Sequence, residues 1–351
     1  VRSHGFLLAQ HRVVARHLAL VPGEVDLATL PVFTLANLAS GVTTVLPDLD
    51  LRRPGAVNGA SVVAAVARFG VTRITASPAF FERLGAPVTA SGQPLPTLRK
   101  LFTGGAPVFP RVLALLQATA PAARVAAVYG STEAEPIAHL DAAEISAADR
   151  AARQSGQGLL AGAPVAEIRL RVLRDRWGAA RGALTAADFA AETMPAGEAG
   201  EIVVTGEHVL RGYLGGVGDE ETKFSVDGET WHRTGDAGRL DDKGRLWLLG
   251  RCAARIDDGH GRLYPFTAEC VAMTLPEVRR AAFVSHAGRR YLVVEAPRAG
   301  PDLEGRLAAA LRWAHPAAIL FVRTLPVDRR HNAKVDYPGL RRWLERRAGT
   351  R

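Results

Sequence analysis

Residues 128–136 read VYGSTEAEP and follow the apolar run RVAAV that begins at Arg124. Tyr129, Gly130, Ser131, Thr132 and Glu133 therefore stand at the end of what reads as a buried strand. Two kinds of chemistry fit them. Gly, Ser and Thr form turns, and Thr132 could cap a helix. Alternatively, consecutive backbone N–H groups and hydroxyls at a strand end suit phosphate oxygens. An acid beside them can hold the Mg²⁺ that accompanies nucleotide phosphates, and an aromatic just before can stack on a base. Taken alone, the pentapeptide favours the turn.

The surrounding elements must decide what such a loop can reach. GVTTVLP (41–47), VTRITASP (71–78) and RVAAVYG (124–130) read as buried strands. Between them SVVAAVARFG (61–70) reads as a helix closed by Gly70, and PRVLALLQATA (110–120) as a helix opened by Pro110. This rhythm predicts parallel α/β layers, whose ligands sit beyond the carboxyl ends of the strands. There lie YGSTE and, if KLFTGG is also a strand end, Gly104, Gly105, Ala106 and Pro107. From about residue 162 the pattern changes: EIRLRVL alternates strictly, and EIVVTG and RLWLLG are strand-like, which predicts a small antiparallel barrel or sandwich. Residues 178–200 read as a surface insertion. After Gly250 a hairpin, an amphipathic helix over 303–314, a strand over 317–326 and a closing helix over 338–347 predict a small α+β unit. The expected division is 1–161, 162–250 and 251–351.

The 351 residues give ample core, and 48% hydrophobic content argues against disorder. No apolar run approaches the ~20 residues of a membrane span, and no signal-peptide pattern is seen, so the reading is a cytoplasmic protein. Cys252 and Cys270 are the two cysteines, too few for a disulfide framework or a four-cysteine zinc site. The net charge of +9 invites nucleic acid, but the basic residues are scattered, so nucleic acid is set aside as a partner.

The order YGSTE, GEI with RGYL, HRTGD, GRLWLLGR and NAKVD (332–336) resembles the adenylate-forming superfamily, which includes acyl-CoA synthetases and adenylation domains. The resemblance runs over nearly the whole chain. It implies an α/β fold: part of an N-terminal domain of parallel α/β layers with a small β-barrel, followed by a mobile α+β C-terminal domain. It also implies ATP and Mg²⁺ as cofactors. Tyr129 would stack on adenine, with Gly104, Gly105, Ala106 and Pro107 as the opposite wall. Gly130, Ser131 and Thr132 would contact phosphate, Thr132 at the α-phosphate, and Glu133 would hold Mg²⁺. Asp236 would accept the ribose hydroxyls and Arg251 would touch the ribose. Lys334 would stabilise charge building in the adenylation step. RRHNAKVDYPGLR, the long insertion before GEAGEI, LPDLDLRRP and GRLYPFTAE look most like the olefin-pathway β-lactone synthetases. These activate a β-hydroxy acid with ATP and close it to a lactone. The implied partners are a long-chain carboxylic acid and other enzymes of a lipid or olefin pathway.

The pattern has departures. No Ser/Thr/Gly-rich loop ending in Pro-Lys-Gly occurs in these residues. The reading is therefore a chain entered just after that loop, expected to adenylate poorly by itself. Ala253 stands where relatives carry a hinge acid, and Thr34 where they carry a histidine. The Gly-x-x-Ile-x-Pro-x-Glu loop that lines a thiol channel is altered around Gly261–Glu269, so CoA is expected to be dispensable. Competing motifs lack their context: GQGLLA (156–161) precedes a strand instead of following one, His11 and His17 lack ligand spacing, and no Gly-x-Ser-x-Gly elbow exists. Ser77-Pro78 reads as a strand end near the acyl pocket. Three readings stand: a β-lactone synthetase fragment, a fatty-acyl-CoA ligase fragment, or a non-catalytic nucleotide- or partner-binding remnant.

Overall fold

The computed structural model describes residues 2–47, 50, 54–327 and 335–348. The chain opens with α1 (His4–His17), β1 (Val25–Ala28), α2 (Pro31–Ala39), β2 (Thr43–Val45), α3 (Gly59–Phe69), β3 (Arg73–Ala76), α4 (Pro78–Ser91), β4 (Lys100–Gly104), α5 (Pro110–Thr119) and β5 (Arg124–Ser131). It turns back through β6 (Ala134–Asp141), α6 (Ala147–Gln154) and β7 (Leu159–Pro164). Next come β8 (Arg169–Leu173), α7 (Ala186–Glu192), β9 (Gly200–Thr205), α8 (Asp219–Thr222), β10 (Lys223–Val226), β11 (Glu229–Leu240) and β12 (Leu246–Arg251). The last part holds β13 (Ile256–Asp258), β14 (Gly261–Leu263), α9 (Pro265–Ala272), β15 (Arg280–His286), β16 (Arg289–Glu295), α10 (Leu303–Ala310), β17 (Ala318–Val322) and α11 (Tyr337–Ala348).

Local chemistry sets the helix ends of the α/β part. The Asn58 side chain accepts from the N–H groups of Ala60 and Ser61 at 3.0 and 3.3 Å, and Gly70, at φ 60°, closes α3 in the left-handed conformation. Ser77 accepts from the Phe80 N–H at 3.4 Å, with Pro78 at the first helical position of α4. Ser77 is thus both the residue after the end of β3, as expected, and the cap of α4. These helices pack Val62, Val66, Phe80, Leu84, Leu113 and Leu116 on the buried strand residues Leu27, Ile74, Leu101 and Val125. Each such side chain contributes roughly 1.5–3 kcal/mol by leaving water.

The strand order is β2-β1-β3-β4-β5-β6-β7-β12-β11-β9-β8, with β10 on β11. The β2-β1-β3-β4-β5 part is parallel, as the alternation of strand and helix predicts, and the rest is antiparallel. The antiparallel strands are therefore continuous with the parallel ones, and the expected boundary at 161/162 falls inside β7. Gly162 makes that join possible: at φ +92° its added Cβ would lie 1.9 Å from the His139 carbonyl oxygen, a clash no side chain survives.

Two expectations change. Residues 41–47 were expected as a buried strand, but β2 is three residues long and partly exposed. It pairs with β1 at the end of the strand order, so among the described residues no strand lies on its other side to bury it. The 178–200 insertion is not merely surface loop. Leu184 bridges to Val226, and Phe189 of α7 packs on Trp231 with ring centroids 4.7 Å apart. Its apolar positions thereby close the outer face of β9 and β10.

The hairpin β15–β16 forms as predicted, with β17 added in parallel. Helix α9 packs against β15 inside this C-terminal unit, and also meets β12 and α6 of the sheet. Among the described residues no helix is long and apolar enough to cross a membrane.

Candidate nucleotide site

β4 and β5 end side by side, with Gly104 in register with Val128. An added Cβ at Gly104 would fall 2.6 Å from the Val128 carbonyl oxygen, so the two strand ends meet only without a side chain there. Gly105 turns away at φ +76° with nothing within 4 Å of its added Cβ. Gly104 thus lets the two strand ends meet, and the exposed Gly105 leaves open space just beyond them.

Past Tyr129 the chain makes a tight hairpin. Ser131 pairs with Ala134 and Thr132–Glu133 form the turn. The expectation of a turn is therefore met by these residues, and the turn lies at the end of the strand. The Glu133 N–H donates to Ser131 Oγ at 3.2 Å, and the exposed Thr132 leaves its hydroxyl outward. An added Cβ at Gly130 would meet Glu135 Oε2 at 2.7 Å. Glu135 has no hydrogen-bond partner among the described residues, and burial pushes its carboxyl up to about 8.

The antiparallel strands bring a second set of groups to Tyr129. Thr234, Gly235 and Asp236 lie where β11 shifts register against β9, a bulge between Arg233 and Ala237. Bulges re-aim side chains, and here the Asp236 carboxylate turns toward β5. Tyr129 Oη donates to Asp236 Oδ2 at 2.8 Å across 107 residues of sequence. Arg251, in register with Asp236, donates from Nη1 to Oδ1 at 2.9 Å. Burial and then Asp236 raise the Tyr129 phenol far above its ordinary value, so it stays a donor. Both Asp236 oxygens are engaged, yet a carboxylate has about four acceptor sites, so capacity for hydroxyl donors is left.

Glu133 has its own setting. Tyr213 Oη donates to Glu133 Oε1 at 2.9 Å. Burial pulls this carboxyl upward, but the bonds from Tyr213 and Ser131 outweigh it, and Glu133 sits below the usual value. Behind Tyr213 the buried Lys223 lies 5.3 Å from the ring centroid and donates to the Leu210 carbonyl and to His232 Nδ1. Burial pushes Lys223 down to about 8, and burial with Lys223 pushes His232 down. Glu133 remains an anion in a neighbourhood of positive charge. Among the described residues no three His, Cys, Asp or Glu side chains group as a metal cage. A single ionised carboxylate fits Mg²⁺ carried in on phosphates, because that ion keeps waters and uses one or two carboxylates.

The structure therefore brings Gly104–Pro107, Tyr129–Glu133, Asp236 and Arg251 to one end of the strands. Lys334, the expected adenylation lysine, lies outside the described residues. Sequence reasoning assigned no role to Tyr213, although it stands in the quoted RGYL, nor to Lys223 and His232, whose signal exists only across strands. His17, dismissed for want of a ligand neighbour, meets His139 at 3.1 Å and Glu167 at 2.7 Å. These partners are 122 and 150 residues away and invisible to spacing.

A parallel sheet running into antiparallel strands, with this polar end and a small α+β unit behind it, defines an adenylate-forming fold. Residues 2–214 match the AMP-binding enzyme family, and the chain belongs to it. It is 35% identical to an olefin beta-lactone synthetase of Stenotrophomonas maltophilia, covering 99% of this chain and 65% of that protein. It is 34% identical to the olefin beta-lactone synthetase of Xanthomonas campestris pv. campestris, covering 98% and 64%. An indoleacetate–CoA ligase of Aromatoleum aromaticum is 28% identical over 86% of this chain and 56% of its own. Among solved structures, the amide bond synthetase McbA from Marinactinospora thermotolerans superposes with a TM-score of 0.77 at 24% identity, covering 97% and 65%. ATP-bound MatB from Rhodopseudomonas palustris gives 0.74 at 22%, covering 98% and 64%. At those identities the likeness concerns the fold. The chain spans about 65% of the length of the two synthetases.

Proposed function

We propose that this chain carries the nucleotide-binding part of an enzyme that activates a fatty or β-hydroxy fatty acid with ATP and closes the product to a β-lactone. The observation that carries the reading is the Tyr129–Asp236–Arg251 cluster at the strand ends, with Glu133 beside it. A base can lie between Tyr129 and the Gly104–Pro107 backbone, and the ribose hydroxyls can bond Asp236. Glu133 is the candidate Mg²⁺ ligand, and Lys334 enters through its place in NAKVD. The division into an α/β part, an antiparallel part and a C-terminal unit from 251, a cytoplasmic location and partner enzymes of a lipid pathway belong to the same proposal.

In the first step the carboxylate oxygen bonds the α-phosphorus and pyrophosphate leaves. In the second the β-hydroxyl oxygen attacks the acyl carbonyl, gives up its proton and expels AMP. A nucleophile on the same molecule has a very high effective concentration, which favours closure over capture by a thiol. The altered Gly261–Glu269 segment supports that preference, since the thioester-forming pattern is missing there. The test is mass spectrometry of products from a long-chain β-hydroxy acid and from its unsubstituted analogue, each with and without CoA. It is run on a protein that spans the full length of the relatives. A β-lactone with AMP and pyrophosphate in the absence of CoA is expected. Thioester from both acids, and only with CoA, would establish a ligase instead.

A further inference from the structure

Asp175 lies just after β8, at the start of the segment that leads into the 178–200 insertion. Its side chain is 1% exposed. It accepts four bonds from three residues of the chain. Oδ1 takes the Trp177 N–H at 2.8 Å, and both oxygens take Arg255 Nη1 at 3.2 and 3.4 Å. Oδ2 takes the Tyr264 hydroxyl at 2.9 Å. Burial and Asp175 together raise the Tyr264 phenol far above its usual value, so it remains a donor. Arg255 also donates from both terminal nitrogens to the Trp177 carbonyl at 3.3 Å.

These partners have a common geography. Arg255 ends the short turn Cys252–Ala254 that leads from β12 to the C-terminal unit, and Tyr264 begins α9 of that unit. Asp175 belongs to the sheet side. One buried carboxylate therefore ties the connecting segment and the C-terminal unit to the sheet. Ala253 lies in that same connecting turn and supplies no polar side chain.

The same loop reaches the nucleotide site. Asp175 and Arg255 fix the Trp177 backbone from both sides. The Trp177 ring lies against Gly235: an added Cβ there would meet the ring at 2.9 Å and Arg251 Nη2 at 2.8 Å. The ring also faces the Arg233 guanidinium at 5.1 Å. Trp177 thus backs the residue between Thr234 and Asp236, on the side where Arg251 holds the carboxylate.

We infer that Asp175 is a positioning residue: it fastens the C-terminal unit to the sheet and, through Trp177, holds Gly235, Asp236 and Arg251 in the geometry that receives a ribose. The second half rests on the proposed nucleotide site. Placement of the C-terminal unit and recognition of the ribose are then set by one buried group.

The experiment uses the full chain with spectroscopic labels at Ala67→Cys on the sheet side and Arg298→Cys on the C-terminal unit, both exposed positions. Asp175→Asn keeps the shape but removes the charge that holds Arg255 Nη1, leaving Arg255 its bond to Asp257 at 3.0 Å, and Tyr264→Phe removes one hydroxyl as a milder variant. In the parent the label-to-label distances of this fastened arrangement should predominate, and in both variants their share should fall. The preference for ATP over 2′,3′-dideoxy-ATP, read as a ratio of binding constants, should fall severalfold in Asp175→Asn. A packing role alone would lower the melting temperature and move neither readout. A share as large as the parent's in both variants, or an unchanged ratio in Asp175→Asn, overturns the inference. If the parent binds no ATP, the proposed function fails, and the distances still decide the fastening.

Discussion

Asp236 is held by two residues that approach from opposite sides, and the contribution of each can be separated by chemistry. Tyr129→Phe keeps the ring that would stack on a base and removes the hydroxyl that donates to Asp236 Oδ2 at 2.8 Å. A hydrogen bond to a charged group contributes roughly 1.5–3 kcal/mol. Loss of that anchor leaves the carboxylate to Arg251 alone, whose side chain is 52% exposed and so holds it weakly. We expect Tyr129→Phe to weaken ATP binding by about tenfold or more, since 1.4 kcal/mol is a factor of ten, with an unchanged circular-dichroism spectrum. Titration calorimetry checks it. Wild-type affinity would mean that Asp236 is set by the bulge of β11 and owes nothing to Tyr129.

At the scale of elements the critical join is between β6 and β7, the antiparallel pair through which the α/β part of the sheet continues into β12 and β11. Gly162 and Gly178 both have left-handed φ, +92° and +96°. They differ in what surrounds them. The added Cβ of Gly162 meets backbone at 1.9 Å, and that of Gly178 meets nothing within 4 Å. Left-handed backbone alone costs an L-residue about 1–2 kcal/mol. Gly178→Ala should therefore lose about that much in urea denaturation. Gly162→Ala must also push β6 and β7 apart at His139, and should lose more than about 4 kcal/mol or fail to fold. Equal losses would show that conformation, not the strand approach, decides both sites.

The dependence of stability on pH belongs to the whole molecule, because every titrating group adds to it. Glu269 in α9 is 2% exposed and accepts from the Phe283 N–H at 2.8 Å and the Tyr337 hydroxyl at 2.7 Å. Burial pushes its carboxyl up to about 7 from an ordinary 4.5, with the two donors pulling the other way. Between those values the folded protein keeps a proton that the unfolded chain releases. Stability from this group is therefore full below about pH 4.5 and is lost as pH rises through 7, at up to ~1.4 kcal/mol per pH unit. Glu135, raised to about 8 by burial, works in the same direction. Glu269→Gln keeps an acceptor for both donors and removes the proton. Its urea-denaturation free energy should fall less steeply than the parent's between pH 5 and 7, and superimposable slopes would reject the assignment.

What the sequence determined by itself was the local grammar. Gly70 and Pro110 mark helix ends because φ and the missing N–H act within a few residues, and the hairpin β15–β16 follows from alternation around a short turn. The strand-end location of Tyr129–Glu133 was legible for the same reason, since apolar runs that alternate with helices make a parallel sheet with polar carboxyl ends. Pairing across the sheet was not legible. That β2 lies at the exposed end of the strand order, that Tyr129 reaches Asp236, that Tyr213 rather than a neighbour in sequence holds Glu133, and that Asp175 holds Arg255 and Tyr264 all depend on register and bulges. Those are settled by how strands β6, β7, β11 and β12 pack. Only the tertiary structure decides them, because hydrogen bonds between groups about 80 to 107 residues apart leave no periodicity in the chain.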